Sequence, residues 1–251
     1  MMKSKVSWRS SSPSPVRKAL LNMKFPLIRR LLAVFALAAA VAGAQSVETT
    51  LHHMDALSKT FRGVTADLRK ISFTYFAKDT EEESGRISMY RPTPQDMRML
   101  AEFTKPEERA VAFAKSKVQM YYPKINTVQE YNLGKESHLV DQFLLLGFGS
   151  SGADLRKNYN IKYVELTTID GGKADHLLLE PKAAEARDQV RGIDLWIAQP
   201  GGYPVRMKVL QPSRDTIELQ YSNLKINPSS LTEASVKLKL PKGVKKETPQ
   251  K

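Results

Sequence analysis

The strongest constraint on the fold is an alternation of apolar and polar residues that begins at Val64 and recurs almost to the C-terminus. Ile71, Phe73 and Tyr75, for example, alternate with polar neighbours. A period of two is typical of half-buried β-strands, because successive side chains point to opposite faces of a sheet. Short stretches rich in Gly, Pro or charged residues separate the alternating segments. The sequence therefore predicts an antiparallel meander.

About ten or eleven strands are predicted in this way, and the acidic stretch Thr80–Ser84 between the first two is expected to form a turn. No internal repeat or linker is visible, so a single domain is expected. The predicted strands are Val64–Tyr75, Ile87–Arg91, Met97–Phe103, Val111–Phe113, Val118–Tyr122, Ile161–Ile169, Ala174–Glu180, Val190–Ala198, Tyr203–Leu210 and Thr216–Ile226, followed by the apolar set Val236, Leu238 and Leu240.

Helical spacing is confined to three places. Gln45–Thr60 predicts an amphipathic helix, and Lys135–Phe148 predicts a second one, with Leu139, Phe143 and Leu146 on one face. A short helix is expected at Ala153–Lys157. The apolar face of the first helix consists of Val47, Leu51, Met54, Leu57 and Phe61.

The N-terminal region has the pattern of a signal peptide. Basic residues follow Met23, an apolar run covers Leu31–Val41, and Ala42-Gly43-Ala44 is a small-residue cleavage site. The apolar run is shorter than the roughly 20 residues that span a bilayer. We therefore expect residues 1–22 to be an over-extended start, residues 23–44 a cleaved signal peptide, and residues 45–251 an exported single domain.

Charge and cysteine content narrow the class of protein. The formal net charge is +13, but the first 44 residues hold eight Lys and Arg and no acidic residue. Removing them leaves 31 basic and 26 acidic residues, a net charge of +5 that does not indicate nucleic-acid binding. The chain has no cysteine, which excludes disulfides, thiolate metal sites and a lipid-anchored N-terminal cysteine. A soluble, monomeric envelope or secreted protein is expected.

Gly147, Gly149 and Gly152 form a G-x-G-x-x-G string with Asp170 about twenty residues later, the outline of a dinucleotide-binding fingerprint. The flanking pattern contradicts that interpretation, because helical spacing precedes the glycines and no crossover helix long enough for a βαβ unit follows. We expect instead that Gly147 and Gly149 end a helix in left-handed conformations. Ser150 or Ser151 then caps the next helix.

No pattern of an enzyme is present. The four histidines lack the spacing of a zinc site, and no G-x-S-x-G nucleophile motif occurs. Glu81–Glu83 suits a solvated turn better than a calcium site. We therefore expect neither a catalytic residue nor a metal or cofactor. The histidines are His52, His53, His138 and His176.

Two features are less ordinary. Five of the six methionines after residue 44 lie on predicted strand faces, where their flexible side chains either fill a core or line an apolar binding surface. They are Met89, Met97, Met99, Met120 and Met207. Arg91 shares a strand face with Ile87 and Met89. There it either extends to water at the strand end or donates to backbone carbonyls or to the polar end of a ligand.

A series of short motifs resembles the LolA family of periplasmic lipoprotein carriers over nearly all of residues 48–246. Each motif is weak alone, but their order and spacing are specific. The motifs are Phe61-x-Gly63, Gly85-x-Ile87-x-x-x-Arg91-Pro92, Tyr121-x-Pro123, Tyr159-Asn160-Ile161, Leu179-Glu180-Pro181-Lys182 and Val236-Lys237-Leu238-Lys239-Leu240-Pro241-Lys242-Gly243-Val244.

The resemblance implies a mostly β (α+β) fold, an incomplete antiparallel barrel with helices covering its mouth. It also implies carriage of lipoprotein acyl chains from an inner-membrane ABC transporter to an outer-membrane acceptor, with Arg91 holding a lid through loop or helix carbonyls. The residues expected to form the cavity and lid are Ile87, Met89, Arg91, Met97, Met99, Phe103, Met120, Phe143, Leu146 and Met207.

The chain departs from the family pattern at Ala114-Lys115 and Gln119, where the family usually has Asp-Gly before a tryptophan-containing strand. Trp196 is the only tryptophan after the predicted signal peptide. Two other functions stay open: a carrier of another lipid or a sensor that binds lipidated proteins, and, more remotely, an exported enzyme. The lipid that co-purifies with the protein distinguishes the carriers.

Overall fold

A single β-sheet dominates the computed structural model, which describes residues 47–94, 96–134 and 146–249. The helices are α1 (residues 47–60), α2 (Gly152–Asn158) and α3 (Ala184–Arg187). The strands are β1 (Gly63–Thr74), β2 (Asp79–Thr93), β3 (Asp96–Lys105), β4 (Arg109–Ala114), β5 (Lys117–Tyr122), β6 (Thr127–Asn132), β7 (Tyr159–Ile169), β8 (Gly172–Pro181), β9 (Gly192–Ala198), β10 (Pro204–Leu210), β11 (Thr216–Ile226) and β12 (Lys245–Glu247).

The sheet has the order β12-β6-β5-β4-β3-β2-β1-β11-β10-β9-β8-β7. Every neighbouring pair is antiparallel except β12 and β6, which are parallel. The outermost strands, β12 and β7, do not pair with each other, so the sheet stays open. The predicted mostly β, incomplete barrel is confirmed, with twelve strands in the described chain where ten or eleven were expected.

The acidic stretch Thr80–Ser84 was predicted as a turn, and this prediction is wrong: it lies within β2, and the turn occupies residues 75–78. Two of its glutamates are accommodated in the strand because β1 places cations beside them. Arg69 Nε lies 2.6 Å from Glu82 Oε1, and Lys70 Nζ lies 2.7 Å from Glu83 Oε2. Charge pairing across the ladder thus replaces the hydrophobic alternation that normally identifies a strand.

The C-terminal prediction is also wrong in part. Val236 and Leu238 do not form a strand, because they pack against Leu100 and Ala112 on the outer, convex face of the sheet. A 3₁₀ turn, Glu233–Val236, begins this segment. The chain then reaches the sheet edge, where the short β12 pairs with β6; neither of these strands was predicted.

Helix α1 covers the concave face of the sheet, as predicted. Its predicted apolar stripe is buried in two clusters. Leu51 and Met54 pack against inward residues of β8, β9 and β10 such as Leu177 and Ile193, and Phe61, just beyond the helix, packs beside β1 and β2.

The predicted helix Lys135–Phe148 lies outside the described residues as far as residue 145, and residues 146–149 form a turn. The predicted N-terminal segments also lie outside them.

A buried carboxylate attaches α1 to the sheet. Asp175 of β8 is only 2% exposed. It accepts hydrogen bonds from Thr50 Oγ1 at 2.7 Å, from Gln199 Nε2 at 2.6 Å and from Tyr163 OH at 3.3 Å. Nothing in the sequence pattern distinguished Asp175 from a solvent-facing aspartate.

We expect Asp175→Ala to lower the free energy of unfolding by about 3 kcal/mol, because it removes the buried acceptor of the hydrogen bonds from Thr50 and Gln199. Urea unfolding followed by far-UV circular dichroism measures this loss. Asp188→Ala, at an exposed position, is the control and should change stability by less than about 0.5 kcal/mol. Equal stability of the two variants would show that the Asp175 hydrogen bonds contribute nothing net.

Candidate functional site

An apolar cavity of about 290 Å³ lies on the concave side of the sheet, between the inner faces of β1 to β5 and those of β10 and β11. Its walls are almost entirely hydrocarbon and thioether groups, and the few polar ones lie at one end. The lining residues are Leu68, Lys70, Ile87, Met89, Met99, Ala101, Phe103, Arg109, Val111, Met120, Leu146, Met207, Leu219 and Tyr221.

Seven of the ten residues predicted from the sequence line this one cavity. They are Ile87, Met89, Met99, Phe103, Met120, Leu146 and Met207. Strand register explains the grouping, since Met89 lies directly opposite Met99 and Ile87 opposite Ala101. Met97 is buried nearby in the core without lining the cavity. Phe143 lies outside the described residues.

Residues 146–149 close the cavity at one side. Leu146 contributes to the wall, and Phe148, 1% exposed, stacks on Phe61 with ring centroids 6.1 Å apart and meets Tyr221 edge-on at 5.2 Å. These aromatic contacts add to the burial of the rings. The turn is therefore packed against the sheet, and the cavity is enclosed on this side.

Gly147 and Gly149 have φ values of +82° and +91°, which confirms the predicted left-handed conformations. A Cβ on Gly149 would lie 2.8 Å from Arg91 Nη1, so this position also has no room for a side chain. Ser151 caps α2 with Asp154 in a reciprocal capping box, as one of the two predicted alternatives. These residues thus shape a turn and a helix start, and the fingerprint interpretation stays rejected.

Arg91 lies at the end of the cavity-facing row of β2. It donates from Nη1 to the carbonyl oxygen of Gly149 at 3.2 Å, and from Nε and Nη2 to that of Pro94 at 3.3 and 3.0 Å. Burial lowers the pKa of Arg91, partly offset by the nearby carboxylate of Asp154. Of the two interpretations of this arginine, the structure supports donation to backbone carbonyls.

A charged cluster lies at the end of the cavity where Lys70 and Arg109 line it, whereas Arg91 is not among the lining residues. Glu83 accepts a hydrogen bond from Lys70 Nζ at 2.7 Å and a bidentate pair from Arg109 Nε and Nη2 at 2.7 and 2.8 Å. Burial raises the pKa of Glu83, but hydrogen bonds from the two cations outweigh it, and the net shift is downward. The guanidinium of Arg109 also lies 4.4 Å from the centroid of the Phe103 ring. Sequence reasoning missed this cluster.

Other chemistry has little support in the part of the chain that the structure describes. No group of three or more metal-ligating side chains is found there. His176 Nε2 lies 2.7 Å from Asp194 Oδ1, and its ring stacks on Trp196 at 4.2 Å. No helix among the described residues is long and apolar enough to cross a membrane.

An open antiparallel sheet with helices over its concave face and an apolar cavity beneath them defines a class of apolar-ligand binding proteins. The family model described as "Outer membrane lipoprotein carrier protein LolA" matches residues 65–233, which is most of the chain. The chain belongs to the LolA family, whose members are carrier and binding proteins.

Several crystal structures are similar to this chain. MucB shares 12% identity, with 78% of this chain and 63% of that chain covered and a TM-score of 0.49. An uncharacterized conserved protein from Thermus thermophilus shares 16% identity, with 82% and 99% covered and a TM-score of 0.49. A LolA superfamily protein from Nitrosomonas europaea shares 12% identity, with 78% and 98% covered and a TM-score of 0.35. The chain thus spans less than two thirds of MucB. A search of curated proteins gave no match.

Proposed function

We propose that this protein is a periplasmic carrier that holds the acyl chains of lipoproteins and moves them from an inner-membrane ABC transporter to an outer-membrane acceptor. The observation that carries the proposal is the apolar, Met-rich cavity on the concave face of the sheet in a chain of the LolA family. The predicted signal peptide supports export to the periplasm. The protein acts by binding and release, without catalysis.

Hydrocarbon burial provides the driving force. Each methylene removed from water contributes about 0.8 kcal/mol, so an acyl chain crosses the periplasm only if a protein covers it. Ile87, Met89, Met99, Phe103, Met120 and Met207 form the covering wall in this proposal. Methionine suits the task because its unbranched, polarizable side chain adapts to acyl chains of different shape.

The cavity is small for the proposed cargo. Its volume of about 290 Å³ lies just below the roughly 300–1,000 Å³ typical of ligand pockets. A lipoprotein with three acyl chains needs more room than this. Loading therefore requires the turn at residues 146–149 to move away from the sheet, and the hydrogen bond from Arg91 to Gly149 must break.

Arg91, Leu146 and the expected lid residue Phe143 act together in this proposal. In the empty protein Arg91 and Phe148 hold the turn closed. When a cargo opens the turn, the protein loses those contacts. Their loss lowers the net affinity of the protein for the cargo. Moderate affinity is what a carrier needs, since the cargo has to be passed to the acceptor.

A carrier of a different lipid is the second candidate, because Lys70 and Arg109 line one end of the cavity. Identification of the bound lipid distinguishes the two. The full chain is expressed in the source organism, and the exported protein is purified without detergent, extracted with organic solvent and examined by mass spectrometry. We expect a lipid-modified lipoprotein as the dominant ligand; a free lipid alone would favour the second candidate, and no acyl compound would contradict both.

A further inference from the structure

The two cations at the end of the cavity have no role in binding pure hydrocarbon. Lys70 and Arg109 contribute to the same wall as Leu68, Phe103 and Val111. Their side chains are only 24% and 19% exposed. Keeping partly buried cations beside an apolar cavity costs desolvation energy, which an anionic partner offsets.

Glu83 offsets only part of that charge. One carboxylate faces two cations, so the cluster carries a net charge of about +1 at neutral pH. Lys70 has three ammonium donors, and Glu83 accepts one of them. Among the described residues, Arg109 Nη1 has no acceptor, because Glu83 uses only Nε and Nη2. Donors therefore remain for an incoming anion.

The sheet holds the cluster rigidly. Lys70 lies directly opposite Glu83 in the β1–β2 ladder. The β2–β3 register shifts between Ser84 and Gly85, and the strands approach so closely there that a Cβ on Gly85 would overlap the carbonyl oxygen of Glu102. This irregularity fixes Phe103 beneath Arg109. The positions of the donors are thus set by the backbone.

The charged cluster lies at one end of the cavity, and along β2 the lining extends from there to Met89. Glu83 and Met89 are six residues apart on β2, which corresponds to roughly 20 Å at about 3.3 Å per residue. An elongated ligand with one polar end and one hydrocarbon tail matches this arrangement. The tail would lie along the methionines, and the polar end would meet the cations.

We propose that Lys70 and Arg109 bind the anionic head group, a carboxylate or a phosphate, of a single-chain lipid whose tail occupies the cavity. This inference rests on the proposed acyl-binding function of the cavity and specifies a ligand for it. The acylated N-terminus of a triacylated lipoprotein is uncharged, so this anionic amphiphile would be a ligand of the acyl cavity in addition to the lipoprotein cargo. Glu83 occupies the donors in the empty protein and competes with the head group.

Equilibrium dialysis with three palmitoyl probes tests the assignment. Palmitate offers a carboxylate, palmitoyl-lysophosphatidate offers a phosphate, and monopalmitoylglycerol offers a neutral head on the same chain. Using purified residues 45–251, we expect at least one anionic probe to bind about tenfold or more tightly than the neutral probe. The stronger anion identifies the head-group chemistry.

Substitutions in the cluster should change affinity in opposite directions. Lys70→Met and Arg109→Met should each bring the ratio of anionic-probe to neutral-probe affinity, measured in the same variant, to within about twofold of one. Glu83→Gln removes the competing charge at nearly constant shape and should raise anionic affinity about fivefold to tenfold. Arg69→Met is the matched control, since Arg69 precedes Lys70, faces away from the cavity and pairs with Glu82.

The outcomes separate this inference from the proposed function. Equal binding of all three probes, with no effect of the cluster variants, would overturn the inference and leave the acyl cavity intact. Failure of every probe to bind would contradict the acyl cavity itself. A gain in anionic affinity for Glu83→Gln cannot arise from misfolding, so this variant decides the matter if a methionine variant is unstable. An equal gain for Arg69→Met would contradict the assignment.

Discussion

Replacing Met99 by aspartate is expected to reduce acyl-chain binding about 100-fold or more. Met99 lines the cavity opposite Met89 and is only half-buried in the empty protein, so the carboxylate can stay hydrated there. An acyl chain in the cavity would exclude that water, and an unpaired charge against hydrocarbon is strongly unfavourable. A loss of 100-fold corresponds to about 2.7 kcal/mol. Competition with a neutral fluorescent acyl probe measures it.

The matched control is Leu166→Glu. Leu166 is an apolar strand residue that is 49% exposed and lies on β7, away from the cavity. The Leu166→Glu variant should bind the probe with an affinity within about twofold of that of the unmodified protein. Thermal unfolding of both variants shows whether the substitutions leave the fold intact. Normal acyl binding by a folded Met99→Asp protein would place the acyl chains elsewhere on the molecule.

Arg91→Leu is expected to tighten cargo binding about tenfold to 100-fold and to slow transfer to the acceptor by a similar factor. Arg91 holds the turn at residues 146–149 through its hydrogen bond to Gly149, a charge-assisted bond that contributes about 1.5–3 kcal/mol. Removing it destabilises the closed state more than the loaded one. Cargo affinity depends on the free-energy difference between the closed protein and the loaded protein, so the Arg91→Leu variant holds its cargo more tightly.

Arg86→Leu is the control for Arg91→Leu. It removes an arginine from the same strand, but Arg86 is exposed and only loosely paired with Asp67 at 3.7 Å. Transfer is followed by mixing loaded carrier with acceptor vesicles and measuring the lipoprotein that remains soluble. Unchanged transfer by Arg91→Leu would remove Arg91 from the release mechanism.

Local patterns in the sequence were sufficient to predict most of the fold. The alternation from Val64 onward identified ten of the strands, because one face of each is buried against the concave core. The stripe on α1 identified its buried face, and the glycine spacing identified the left-handed turn beside Arg91. Arg91 itself stood out because a cation on an apolar strand face needs hydrogen-bond acceptors.

The features that were missed depend on contacts between distant segments. Glu83 meets Lys70 and Arg109 only once β1, β2 and β4 are in register, and in the sequence it belongs to an acidic run that suits a turn. Asp175 is buried only because α1 places Thr50 above it. Val236 and Leu238 alternate as in a strand, but the outer face of β3 and β4 offers them a packing site instead. No local pattern encodes such partners.

Release of newly made lipoprotein from spheroplasts tests the central claim most directly. Purified residues 45–251 are added to spheroplasts of the source organism that synthesise a labelled, triacylated lipoprotein, with the folded Met99→Asp variant as the control. The carrier account predicts that labelled lipoprotein appears in the supernatant as a soluble complex with the added protein, and that the variant releases little. Lipoprotein that stays on the spheroplasts with both proteins would contradict the proposed lipoprotein-carrier function.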